Sequence, residues 1–237
     1  MRTINAQPGL VDQVYDAILA EIVDGQFPSG TRLIQDELAQ AYGVSRQPVQ
    51  QALLLARNHG LVRDAQGRGL VVAALDVEFV RNLYEVRAVL EGLSARMAAA
   101  HGADRARAEG PERLAHGRAA VESGSLTGQI AADMAFHAFL AELSGNLLIG
   151  ETTAPHWHHL RRVMGAVLRE DDKMPRNIWD EHEAILGAVI TGDGTTAEAL
   201  SRQHILRAAK IFVERLQAQH DASKEDIEGR RLRRIQR

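Results

Sequence analysis

The chain has 237 residues, 45% of them hydrophobic and 25% charged, with a net charge of −3 and no cysteine. That length suits two modest domains or one large one, and the missing thiols exclude disulfides and thiolate metal sites, as suits a reducing compartment. There is no global positive field, so any nucleic-acid contact must come from a few locally placed groups.

MRTINAQPGL lacks the charged-then-apolar layout of a secretory signal. No stretch approaches the roughly 20 apolar residues of a membrane span. The expectation is a cytoplasmic protein with no membrane partner.

In chain order, Leu10, Val11, Val14, Tyr15, Ile18, Leu19 and Ile22 follow the spacing of an amphipathic helix, which Gly25 ends. QFPSGTRL reads as a loop, and a second short helix fits Gln35 to Tyr42 before a turn at Gly43. A third helix starts at Ser45, a suitable N-cap, tolerates Pro48 in its first turn and stops at Gly60. Its apolar stripe is Val49, Ala52, Leu53 and Ala56, which leaves Arg46, Gln47, Gln50 and Gln51 on another face. LVRDAQGRGLVV then reads as a small hairpin turning at Gly67 and Gly69. Three helices and a hairpin make a winged helix-turn-helix, here over residues 8–74.

Beyond Leu75 strand signals vanish, and residues 76–222 read as an all-α bundle. The periodicity predicts helices over Asp76–His101, Ala103–Ser123, Thr127–Ser144, Pro155–Glu170, Asn177–Thr191 and Thr195–His220. The fold class is therefore mainly α. Residues 223–237, rich in charge and poor in apolar side chains, read as a disordered basic tail.

A helix of the third helix's size fits the B-DNA major groove with its N-terminal residues at the base edges. Ser45, Arg46, Gln47 and Gln50 occupy that end. Arg pairs bidentately with guanine and Gln with adenine, while Ser45 and the wing residue Arg68 suit phosphate or minor-groove contact. On spacing alone a solvated polar face competes with this reading. Residues 1–75 carry six Arg and Lys against seven acids, which gives the DNA reading no extra support.

Asp133 and His137, four apart on one helix, share a face, and His182 and His204 sit on two later helices. If a bundle brings them together they form a set of three imidazoles and one carboxylate for zinc, nickel, manganese or another divalent ion, with a position left for water or ligand. Among ten histidines, isolated surface or hydrogen-bonded residues remain the competing reading. Arg87, on the flank of the stripe Val80, Leu83, Val86, Leu90, Leu93 and Met97, should be partly buried and want an anion: an effector, or Glu91 at i+4. The cluster His156, His158, His159, Arg161 and Arg162 either extends a ligand pocket or faces solvent.

The run from Gly25 to Val72 closely resembles the N-terminal domain of GntR-family regulators, in its Leu-Ala, Gly-Val-Ser-Arg, Pro-Val, Ala-Leu and Gly-Leu-Val elements and its wing glycine. It departs where that pattern has Arg-Glu after Pro-Val, since Gln50 and Gln51 stand there. The resemblance implies a homodimer reading a palindromic operator.

DMAFHAFLAELSGN, the Glu-His and terminal His segments of residues 179–205, and LYEVRAVLEGLSARMAA resemble the FCD sensor domain of the FadR branch, in the compact VanR-like variety. That resemblance implies a metal, zinc first, on Asp133, His137, His182 and His204. The function it implies is a transcriptional regulator, a repressor or an activator, whose operator affinity follows a small-molecule effector; the metal and Arg87 together point to an organic acid. The alternative is a metal-dependent enzyme on the same four residues, although no HExxH, GxSxG or paired-carboxylate motif accompanies them.

Overall fold

The computed structural model describes residues 9–65, 67, 69–169 and 174–235, with the backbone only for 174–176 and 223–235. It divides into two compact units: residues up to Ala74 together with His158–Ala166, and Leu75–Trp157 together with Val167 onward.

The first unit contains α1 (Leu10–Val23), β1 (Arg32–Leu33), α2 (Gln35–Tyr42), α3 (Arg46–Asn58), β2 (Val62–Asp64) and β3 (Leu70–Val72). Val14, Ile18, Leu19 and Ile22 of α1 are buried in its core, as are Val49, Ala52, Leu53 and Ala56 of α3. Gly43 takes a left-handed φ of 65° that ends α2 and sets the turn into α3. β2 and β3 pair antiparallel with Arg63 opposite Val71, forming the wing. β1 pairs on the far side of β3, so the sheet order is β1-β3-β2. Where the sequence reads as loop there is thus a third strand, two residues long and below the reach of any periodicity. The architecture is a winged helix-turn-helix.

Within the same unit, part of the His156–Arg162 cluster has partners. His158 stacks on His59 with ring centroids 4.5 Å apart, and Arg162 donates to the Ala73 carbonyl.

The second unit holds α4 (Val77–His101), α5 (Ala103–Glu122), α6 (Leu126–Leu143), α7 (Leu147–Thr153), a 3-10 turn (Ala154–His156), α8 (Trp157–Leu168, whose middle belongs to the first unit), α9 (Met174–Ile190) and α10 (Gly194–Ile235). Asp76 caps α4 by accepting from the Glu78 and Phe79 amides. Ser125 caps α6 through the Gly128 amide. Phe136, Phe139, Leu140 and Leu143 of α6 form the core with Trp179, Ile185 and Leu186 of α9 and the alanines of α4. The axes of α5 and α9 approach closely at Gly117, where a Cβ would stand 2.0 Å from the Trp179 ring.

Three expectations change. α7 adds a seventh helix; seven residues are too few to show an amphipathic repeat. α10 passes His220 and runs to Ile235, because SKEDIEGRRLRRI has no proline and is rich in helix-favouring Glu, Lys, Arg and Leu. The buried face of α4 is also rotated from the apolar stripe. Val86 is exposed, whereas Tyr84, Arg87, Glu91 and Ser94 are buried, since ion pairing and the small residues Ala88, Gly92 and Ala95 allow that face inward.

Candidate metal centre and DNA-reading surface

Asp133 and His137 project from α6, His182 from α9 and His204 from α10, and all four are buried. Each offers a ligand atom, and these atoms lie within 4.8 Å of one another. Nε2 of His182 is 3.3 Å from Nε2 of His204 and 3.6 Å from Asp133 Oδ1. His137 Nε2 is 3.9 Å from Asp133 Oδ2. A tetrahedral ion with donors at about 2.0–2.1 Å needs them roughly 3.3–3.4 Å apart, so these separations start at the required edge and exceed it by about half an ångström at most. Buried ring nitrogens normally find a partner, yet Nε2 of His137 has no hydrogen bond among the described residues. Three imidazoles and a carboxylate converging with an orphaned nitrogen fit a divalent ion.

Burial fixes the chemistry of the rings. His182 lies parallel to Phe136, centroids 4.2 Å apart, and edge-on to Trp179 at 4.7 Å. Desolvation, aided by His204, His137 and Arg87, holds its pKa well below the usual value, so it presents a neutral ring with a lone pair. For His137 burial also disfavours the cation, but the adjacent Glu91 carboxylate outweighs it and the pKa is raised.

Two carboxylates absent from the predicted site contact its histidines. Glu91 of α4 is in ion-pair contact with His137 Nδ1, off the ring N–H direction, so that nitrogen has no aligned hydrogen bond. Glu181 of α9 accepts from His204 Nδ1 at 2.8 Å. The signal for Glu91 was its place four residues after Arg87; Glu181 is separated from its partner by 23 residues, and spacing could not have shown it.

Arg87 is fully inside the bundle and donates to Glu91 Oε1 from Nε and Nη2 at 2.9 and 2.6 Å. Its guanidinium also lies 4.9 Å from the Tyr84 ring centre.

On the first unit, Ser45, Arg46, Gln47 and Gln50 are all exposed around the N-terminal turns of α3. Ser45 holds the N-cap position but makes no capping hydrogen bond through its side chain. Arg46 pairs with Asp36 of α2, both largely exposed. Arg68 lies outside the described residues.

Comparison with known proteins agrees with this architecture. Residues 10–72 match the bacterial regulatory proteins of the gntR family, and residues 82–207 match the FCD domain. The chain is 29% identical over 221 residues to the HTH-type transcriptional regulator LutR of Bacillus subtilis, covering 81% of this chain and 95% of that protein. It is 26% identical over 202 residues to the HTH-type transcriptional repressor RspR of Escherichia coli, covering 85% and 88%. Among solved structures, a GntR regulator from Rhodococcus superposes with a TM-score of 0.71 at 24% identity, covering 86% of this chain and 97% of that one. McbR/YncC of E. coli superposes with a TM-score of 0.74 at 19% identity, covering 88% and 99%. Both sequence relatives are named as transcriptional regulators, which favours a regulator over a metal-dependent enzyme. With a gntR-type reading head followed by an FCD domain, the chain belongs to the GntR family and is a DNA-binding transcriptional regulator.

Proposed function

We propose that this regulator senses an organic acid through a divalent ion, zinc first and nickel or manganese as alternatives, held by Asp133, His137, His182 and His204. The observation that carries the reading is the convergence of these four buried groups, from three helices, within 4.8 Å. The ion would supply Lewis acidity and an open position. The protein's residues supply the rest.

The charge around the centre favours an anionic effector. Asp133, Glu91 and Glu181 contribute three negative charges and Arg87 and Arg207 two positive ones. With the three histidines neutral, as ligation requires, a divalent ion turns that single net negative charge into a single net positive one, which an anionic effector would offset. Arg87 would share its guanidinium between Glu91 and the effector. Beside it the Tyr84 hydroxyl is buried without a hydrogen-bond partner among the described residues, and burial raises its pKa, so it stays a donor.

Effector binding would favour one arrangement of two reading heads in a homodimer, and operator affinity would change by the difference in effector affinity between arrangements. Exposed Val86 and Val89 offer apolar surface for a second copy. Ser45, Arg46, Gln47, Gln50 and Arg68 would contact a palindromic operator in the cytoplasm, as a repressor.

The test is His182→Ala. Metal content and melting temperature should fall together, because a bound ion stabilises only the folded state. Calorimetry of metal-loaded protein against a panel of organic acids should give binding that this variant loses. An unchanged metal content rejects the ligand set, and a silent panel rejects the effector class.

A further inference from the structure

The environment of the ring nitrogens that face away from the centre goes beyond the ligand set. Each of two ligand histidines meets a carboxylate from a different helix at Nδ1: His137 on α6 meets Glu91 of α4, and His204 on α10 meets Glu181 of α9. Each carboxylate is in turn held by a guanidinium. Arg87 donates twice to Glu91, and Arg207 reaches Glu181 at 2.7 Å. The third histidine differs, since His182 Nδ1 has no partner among the described residues and its ring is held by Phe136 and Trp179.

We propose that Glu91 and Glu181 are positioning residues for the metal: Glu181 accepts from Nδ1–H of His204 and so fixes the tautomer that turns Nε2 toward the ion, Glu91 holds the His137 ring from its Nδ1 side through ion contact, and each carboxylate is locked by its arginine. The inference rests on the metal reading above. A carboxylate behind an imidazole raises its basicity and removes its rotational freedom, so such a partner strengthens metal binding without touching the ion. An ordinary ion pair explains Arg87–Glu91 or Arg207–Glu181 taken singly. It does not explain why both carboxylates, on unrelated helices, meet the ring nitrogen on the side away from the other ligands. The arginines have a matching role: Glu91 is 8% exposed, and a carboxylate so buried without a fixed counter-charge would be costly.

The experiment uses the full-length protein, stripped by chelator and titrated with Co2+ against a chromophoric competitor, with the visible d–d spectrum recorded at saturation. Glu91→Gln and Glu181→Gln should each raise the cobalt Kd roughly 10- to 100-fold and shift the d–d bands. Glu183→Gln should change neither, because Glu183, next to His182 in sequence, faces Arg118 instead. Should Glu91→Gln fail to fold, Glu181→Gln carries the test alone, since the Glu181 side chain is 29% exposed. Variants that match the wild-type Kd and spectrum overturn the proposal, even with a lowered melting temperature, which is all a purely structural ion pair would show. Wild-type protein that takes up no cobalt overturns the metal reading itself, a separable result.

Discussion

At the scale of single residues, the reading helix differs from its family pattern in charge. Gln50 is exposed near the start of α3 where the GntR pattern carries Arg, and the one cation at that end, Arg46, is partnered by Asp36. An exposed pair of this kind contributes little to stability, so Arg46 can exchange its carboxylate for a phosphate or a guanine edge at small cost. DNA binding should accordingly depend only moderately on salt. Gln50→Arg should add one phosphate contact, steepening the slope of log K against log salt by about 0.9. Gel shifts at three or more salt concentrations on the operator measure it, and an unchanged slope would place residue 50 away from the backbone.

At the scale of elements, the centre depends on how closely helices approach behind it. Gly117 lets α5 lie against the Trp179 ring of α9, and that ring packs edge-on against His182. Gly117→Ala should therefore act twice. Overpacking should cost about 1–3 kcal/mol of stability, and a displaced Trp179 should loosen His182 and lower metal affinity. Thermal melts together with metal titration check both effects, and a loss of stability with unchanged affinity would detach the packing from the site.

Elements also show what the sequence made legible. Asp133 and His137 announced themselves by a four-residue spacing on one helix, and α3 by its stripe and its glycine-bounded ends. β1 did not, because two residues carry no period, and its pairing with β3 is a tertiary fact. The inward face of α4 was hidden for another reason. An apolar pattern marks a buried face only when apolar contact is what holds it, and here Arg87 and Glu91 neutralise one another inside while Val86 is left outside. Glu181 belongs to the same class, since its role rests on a partner from another helix.

At the scale of the whole molecule, the two units carry different reporters. Trp157 and Trp179, the only tryptophans, both fall in the second unit. Among the described residues no helix is long and apolar enough to cross a membrane. Metal at 100 times its Kd should stabilise the fold that holds it by about 2.7 kcal/mol. Tryptophan fluorescence during melting should show a lower midpoint after chelation and recovery when the ion returns. A midpoint indifferent to chelator would mean that no resident ion contributes to that unit.

The origin of the four ligands on α6, α9 and α10 has a further consequence. A chain without cysteine cannot staple distant segments covalently, yet an ion held here would close the chain between Asp133 and His182 and again between His182 and His204, loops whose closure carries an entropic cost in the unfolded state. Such a cross-link is indifferent to oxidants and reductants and can be undone and remade by changing the free metal concentration, so the folded bundle would double as a gauge of metal supply.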